Sequence, residues 1–462
     1  MRVSLIFSIL LLIAIGCAAK NKTLVKMKTN PPAGGYEEEL IFPEKFFFGT
    51  ASSDFQTTGG NGKTDWDEHI KNYKPPQIGP GIGTDFLNRY QEDFDLAEQI
   101  GDQMHRISLE WSRLEPEEGV WNYAALEQYK KMIEDAQKRD IKIMICLNHF
   151  TSSLWFSAMG GWENPLAPYY YGRYAEFVAR NLGIPLQIEW WLTFNEPQVM
   201  LIPSYFKGEW PPYKKLESPD DYQGTNRLIK VAGNILETHR QAYKKIHEVL
   251  DEEIPTLMVS FASAPGYFEP FDPKSKNDRI AYNALHTQSL IFDTAVGKDR
   301  DFIGLNYYER YRLQASINVI GAMFNSKNNI GIEWVKDTTP YPNGLRRMIL
   351  EYAKQFPQIP IVITENGIDD EEDALRPKFL IEHLRAVHQA IQAGAPVIGY
   401  MHWALTDTWE WNRANFSHFG LIAIDRENNL KRSLRPSAKI YSEIIKTHKI
   451  SKELYKKYIL DK

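Results

Sequence analysis

Two cysteines in 462 residues, Cys17 and Cys146, are too few for a disulfide framework, so a packed core has to hold this chain. Basic charge is outweighed by acid. The net charge is −5 and the pI about 6.2, which leaves no electrostatic footprint for nucleic acid. No His/Cys cluster has metal-ligand spacing, and no glycine-rich phosphate loop follows a strand pattern. Neither a metal nor a cofactor is expected. No shift of composition inside residues 41–450 marks a second domain.

What is present is an alternation. β-rich runs at 46–51, 103–109, 141–148, 189–195, 256–263, 301–307, 358–364 and 397–403 are separated by stretches with helical periodicity. The helical stretches include 90–99, 125–138, 170–182, 227–250, 344–355 and 377–393, and a last helix is expected at 437–446 behind Pro436. Eight strand–helix units imply a parallel sheet closed into a (β/α)8 TIM barrel, an α/β fold of one domain over 41–447 with long βα loops. Cys146 falls within the third run, where it reads as an inert buried thiol. The tail 448–462 is Lys-rich and reads as a solvated helical or frayed end.

Two carboxylate motifs carry the chemistry. Thr193-Phe194-Asn195-Glu196-Pro197 ends the fourth run, and Ile363-Thr364-Glu365-Asn366-Gly367 ends the seventh. In such barrels the reactive groups sit at the C-terminal ends of strands. Two acids on one rim suit glycoside hydrolysis, in which one carboxyl protonates the leaving oxygen while the other attacks or activates water. The aromatic share of 13%, with 12 Trp and 24 Tyr, exceeds what a core requires, and sugar rings stack on such faces. Most of these aromatics are nonetheless expected in the core.

The pair Asn195-Glu196-Pro197 and Thr364-Glu365-Asn366-Gly367 resembles the signature of family 1 glycoside hydrolases, the retaining β-glucosidase type. The resemblance runs over about 41–447. It includes Phe46-Phe47-Phe48-Gly49-Thr50-Ala51-Ser52, Arg106-Ile107-Ser108, Asp301 to Tyr308, and Gly399-Tyr400 with Trp403-Ala404-Leu405-Thr406-Asp407. It implies Glu196 as acid/base and Glu365 as nucleophile, with Arg106, Tyr308 and Asn306 supporting the nucleophile. It implies Gln56, His149, Asn195, Glu410 and Trp411 as ligands of the non-reducing sugar, Trp403 as the floor of its pocket and Phe419 as a wall. The Glu410-Trp411 pair implies an unphosphorylated sugar, because a carboxylate there repels a 6-phosphate. The expected substrate is a small or oligomeric β-glycoside.

Taken singly, each residue has a plainer reading. A Glu at a strand end is ordinarily a surface acid, His149 a structural hydrogen-bonder, Arg106 an internal ion pair, and Trp403 plain core. The joint order makes the catalytic reading the stronger one. The acidic run 369–373 reads as a solvated loop. The chain departs from the family pattern at Gln56-Thr57-Thr58-Gly59, where Gln-Xaa-Glu-Gly is common, and at Phe150-Thr151, where Trp-Asp is common. Asp407 is followed by Thr408-Trp409 instead of Asn-Phe. These departures leave the aglycone open. A transglycosylase with the same residues, or a non-catalytic carbohydrate-binding relative, are the competing readings. The oligomeric state is not legible.

The N-terminus is a separate signal. Met1-Arg2 precede an apolar stretch at 3–15, then Gly16-Cys17-Ala18-Ala19-Lys20. The stretch is short for a membrane span and has the form of an export signal. Ala14-Ile15-Gly16-Cys17 is similar to a bacterial lipobox. Residues 1–19 are therefore expected to be a lipoprotein-type signal peptide with Cys17 lipidated, and 20–40 a tether. The mature protein would be membrane-attached, periplasmic or extracellular. Plain secretion and an uncleaved anchor are the alternatives. Asn21-Lys22-Thr23 and Asn415-Phe416-Ser417 fit the glycosylation acceptor pattern.

Overall fold

The computed structural model describes residues 39–72, 78–218, 221–315, 332–337, 340–411 and 415–460. The expected signal peptide, Cys17 and the tether up to residue 38 lie outside the described residues. Eight parallel strands close into one barrel: β1 (Phe47–Ala51), β2 (Met104–Ser108), β3 (Lys142–Cys146), β4 (Trp190–Asn195), β5 (Met258–Ser263), β6 (Ile303–Tyr307), β7 (Ile361–Asn366) and β8 (Val397–Trp403). Each is followed by a helix: α1 (Phe86–Ile100), α2 (Tyr123–Gln137), α3 (Ala167–Val178), α4 (Tyr222–Leu250), α5 (Lys276–Val296), α6 (Pro342–Gln355), α7 (Arg376–Gln392) and α8 (Pro436–Thr447). The expected strands all appear with ends shifted by a few residues. β7 starts late because Gln358 is left-handed (φ 72) and turns the chain. A further small sheet joins Tyr267–Pro270, Arg310–Ala315 and Ile332–Asp337 in the loops after β5 and β6.

Strands covered on both faces read as apolar runs. Alternation along them makes two cores. Met104, Met144, Cys146, Leu192, Val362 and Met401 pack inside the barrel, while Ile107, Ile143, Ile145, Trp191 and Ile363 pack against the helices. Cys146 is wholly buried, and burial pushes its thiol up to about 12, so it is inert as expected.

Register decides where the acids point. On β4, Leu192 faces inward, yet Thr193 bonds His239 of α4 (2.7 Å) and Phe194 packs on Tyr171 of α3. Two successive residues face out because the pairing with β5 shifts between Leu192 and Asn195. On β7 the pairing with β6 shifts between Ile363 and Glu365. Strict alternation from Val362 would send Glu365 outward. The shift turns it into the barrel and leaves Asn366 outside, where its amide bonds Tyr307 O (2.6 Å) and takes the Tyr400 hydroxyl (2.8 Å). Such bulges re-aim side chains at barrel rims.

Two sequence expectations are corrected. The acidic run is solvated only in its middle: Glu371 and Glu372 are exposed, but Asp370 and Asp373 are buried. Asp370 accepts the amides of Leu375 and Arg376 (2.8 Å each), and Asp369 accepts that of His418 (2.8 Å). Asp373 pairs with the buried Arg376 and accepts the Ser437 amide (2.7 Å) and hydroxyl (2.6 Å). The run therefore fastens the loop after β7 to α7 and α8. Asp373→Ala is expected to cost about 3–5 kcal/mol, since it leaves Arg376 buried without its partner. Urea denaturation followed by circular dichroism measures this, and an unchanged midpoint would show that the pair is dispensable.

The C-terminal tail takes the helical one of its two expected forms, over Lys452–Tyr455 and Lys456–Leu460, but it is not wholly solvated. Lys449–Ile450 pairs antiparallel with Leu40–Ile41, and Ile450, Leu454 and Tyr455 are buried. The three apolar residues lie on one face, so the lysines face outward without freeing the segment. No helix among the described residues is long and apolar enough to cross a membrane.

Candidate active site

β4 delivers Glu196 by stopping abruptly. Glu196 itself is left-handed (φ 48), and Pro197 opens the short helix Pro197–Leu201. The strand end is clamped from both sides: the Asn195 amide donates to Asn148 O and the Glu196 amide to Ala262 O, each at 2.8 Å. β7 delivers Glu365 from within the strand. The two strands are three places apart around the barrel, and both carboxyls are buried, 8% and 3% exposed.

One network joins them. Arg106 of β2 pairs through Nη2 with Glu365 Oε1, and the Tyr308 hydroxyl donates to Glu365 Oε2. Arg106 Nη1 donates to Asn195 Oδ1 (3.1 Å), as does Asn306 Nδ2 (3.1 Å). The same Asn306 Nδ2 donates to Glu196 Oε1 at 2.7 Å. Thr364 Oγ1 donates to Asn306 Oδ1 (2.7 Å) and fixes that amide's orientation. The sequence assigns Thr364 no role beyond its place in the motif. Its only signal was its place one residue before Glu365.

Asn306 thus serves Glu196 directly, whereas its expected place was beside the nucleophile. It does so although it is the register partner of Glu365 across β6 and β7; the donor to Glu365 is Tyr308, one residue past the end of β6.

The two carboxyls sit in different environments. Burial raises Glu196 to about 8, and the negative charge of Glu365 adds to the rise. Glu365 instead receives a guanidinium and a phenol, the donors a carboxylate requires. One acid is therefore kept protonated at neutral pH beside one supplied for negative charge, and this pairing can divide acid and nucleophile roles.

The sugar-binding candidates converge on the same mouth. The His149 ring lies parallel to those of Trp403 (centroids 5.7 Å, 17°) and Trp411 (6.0 Å, 17°). Asn195 Nδ2 lies 3.4 Å from His149 Nε2. Burial pushes His149 well below the usual range, which keeps it neutral. Gln56 Nε2 donates to Trp409 O (2.6 Å) and Glu410 Oε1 (3.3 Å). Trp403 clusters with Tyr308 and Phe419, and the Arg106 guanidinium lies 5.6 Å from its ring. Trp411 is stacked on Phe55 (5.5 Å). Gln56 Oε1 and His149 Nδ1 are buried and have no partner among the described residues. They are the groups a polyhydroxy ligand would satisfy. Among the described residues no group of three or more His, Cys, Asp or Glu could hold a metal ion.

The model of glycosyl hydrolase family 1 matches residues 38–298 and 293–450. The chain belongs to glycosyl hydrolase family 1. Among its family 1 relatives, it is 30% identical over 390 residues to the beta-glucosidase-like SFR2, chloroplastic, of Oryza sativa subsp. japonica, covering 78% of this chain and 56% of that one. It is 29% identical over 383 residues to the galactolipid galactosyltransferase SFR2, chloroplastic, of Arabidopsis thaliana, covering 80% and 59%. The chain thus spans less than two thirds of the length of these two plant proteins. The solved beta-glycosidase from Pyrococcus horikoshii superposes with a TM-score of 0.79 at 30% identity, over 91% of this chain and 98% of that one. Within family 1, the departure at Phe150-Thr151 has local consequences. Thr151 Oγ1 donates to the buried Glu110 (2.8 Å), and Phe150 packs edge-on against Trp411 (5.3 Å).

Proposed function

We propose that this protein is a retaining exo-β-glycosidase that removes terminal β-D-glucosyl or related β-glycosyl residues by double displacement. The observation that carries the reading is the unequal pair: Glu196, raised to about 8, faces Glu365, which is held by Arg106 and Tyr308. In the first step a Glu365 oxygen bonds the anomeric carbon as the glycosidic bond breaks. The Glu196 proton passes to the leaving oxygen. In the second, water attacks the anomeric carbon, its proton returns to Glu196, and the bond to Glu365 breaks. Asn195 holds the sugar 2-hydroxyl, a contact that strengthens in the transition state. Gln56 and Glu410 accept hydroxyls at the far end of the sugar, and the Glu410 carboxylate disfavours a 6-phosphate.

A second reading uses the same residues with a sugar hydroxyl replacing water as acceptor. The similarity to a galactosyltransferase supports it. Both readings retain configuration. Retaining sites hold their carboxyls about 5–5.5 Å apart, whereas inverting ones leave room for a water at about 6.5–9.5 Å. Proton NMR during early hydrolysis of a nitrophenyl β-glucoside is expected to show the β-anomer first. An α-anomer appearing first rules out double displacement, and a preference for 6-phosphoglucosides overturns the assignment at Glu410.

A further inference from the structure

A cavity of about 1020 Å³ lies among the loops after β1, β3 and β4. That exceeds the upper end of ordinary small-molecule sites, about 300–1,000 Å³, and leaves room for more than one sugar ring. None of the twelve residues assigned to the catalytic pocket lines it. A single layer of aromatic rings divides the two spaces. Phe150, on the cavity wall, lies 5.3 Å from Trp411, and Trp66 bridges Trp411 (4.7 Å) and the cavity residue His69 (4.8 Å).

The lining has a particular chemistry. Trp162 is 4% exposed, and its Nε1–H has no acceptor among the described residues. Asp65 accepts the Ser152 amide (2.9 Å), and burial raises its carboxyl to about 7 against the lowering effect of the backbone amides around it. Tyr213 stacks on His69 (5.6 Å, 20°) and presents a flat face. A donor without an acceptor, a carboxyl and flat rings together recognise a polyhydroxy ring. A hydroxyl both accepts from an indole N–H and donates to a carboxylate, while the ring's C–H face covers an aromatic one. An organic cation would suit the carboxyl but offers the indole no acceptor. An apolar molecule would serve neither.

We propose that this cavity is a second saccharide-binding site, separated from the catalytic pocket by one aromatic layer, with Trp162 and Asp65 as its hydroxyl-recognising groups. It does not depend on the roles assigned to Glu196 and Glu365. Phe150, which stands where tryptophan is common in family 1, is part of its wall.

Isothermal titration of full-length Glu365→Gln protein tests it, with cellotriose, its β-1,4-linked galactose and mannose counterparts, and choline as probes. Chromatography of the titrated sugar shows separately whether turnover persists, so a failure of the catalytic assignment is seen as cleavage and not as lost binding. At least one trisaccharide is expected to fill two sites. Adding Trp162→Phe should weaken one site roughly tenfold, the worth of a lost hydrogen bond, and leave the other unchanged. Asp65→Asn, nearly isosteric, should weaken the same site and serves if the tryptophan variant misfolds. Gln56→Ala should weaken only the other. One-site binding of all three sugars, an unaltered second site in both variants, or binding of choline alone overturns the proposal.

Discussion

Glu365→Ala is expected to lower turnover on the order of 10⁶-fold, the scale seen when a covalent nucleophile is removed. The structure also says what should restore part of it. The truncation leaves Arg106 wholly buried without its counter-ion and leaves the Tyr308 hydroxyl without an acceptor. A small anion such as azide or formate can enter the space, take both donors and attack the anomeric carbon from the vacated side. The rescued product then has the opposite anomeric configuration, an α-glycosyl azide from a β-glycoside. Chromatography and NMR of the azide reaction check both the rate and the configuration. Near-normal activity in Glu365→Ala without added anion would refute the assignment. The same buried charge predicts a stability loss that azide partly repairs.

Glu196→Gln should separate substrates by leaving group. A general acid contributes roughly 10²–10⁴-fold, and only where the leaving oxygen needs the proton. Alkyl glycosides should slow by that factor, while dinitrophenyl glycosides should scarcely slow in their first step. The glutamine preserves the acceptor for Asn306 Nδ2 at 2.7 Å, so the local geometry survives. The pH dependence gives an independent measure. Glu196 is raised to about 8, so the acid form is present below that pH and is lost as pH rises through it. Wild-type kcat/KM on an alkyl glycoside should fall on the alkaline side near this value, and the fall should be missing in Glu196→Gln. Equal slowing of both substrate kinds would remove Glu196 from the acid role.

The eight strands, the helices between them and both glutamates were legible because they depend on local pattern. A strand buried on both faces carries an unbroken apolar run, as at residues 143–146 and 361–363, and a helix shows its stripe within one segment. Family membership was legible from short motifs for the same reason. Other features depend on distant partners. Alternation along β7 alone points Glu365 out of the barrel, and the one-residue shift against β6 that turns it inward is a property of the pair. Asp373 looked like part of a hydrated acidic run, yet its partners include Ser437, which arrives from α8. Ile450 and Tyr455 are buried through distant partners, Leu40 beside the first and Arg385 of α7 against the second.

The sequence by itself determined the barrel, the two acids and the order in which they meet the rim. The tertiary structure alone decided which carboxyl is desolvated and which is held by Arg106 and Tyr308, and opened the cavity beside Phe150 and Trp162. Charge state and free volume are set by what surrounds a side chain in space, and those neighbours come from segments far apart in the chain.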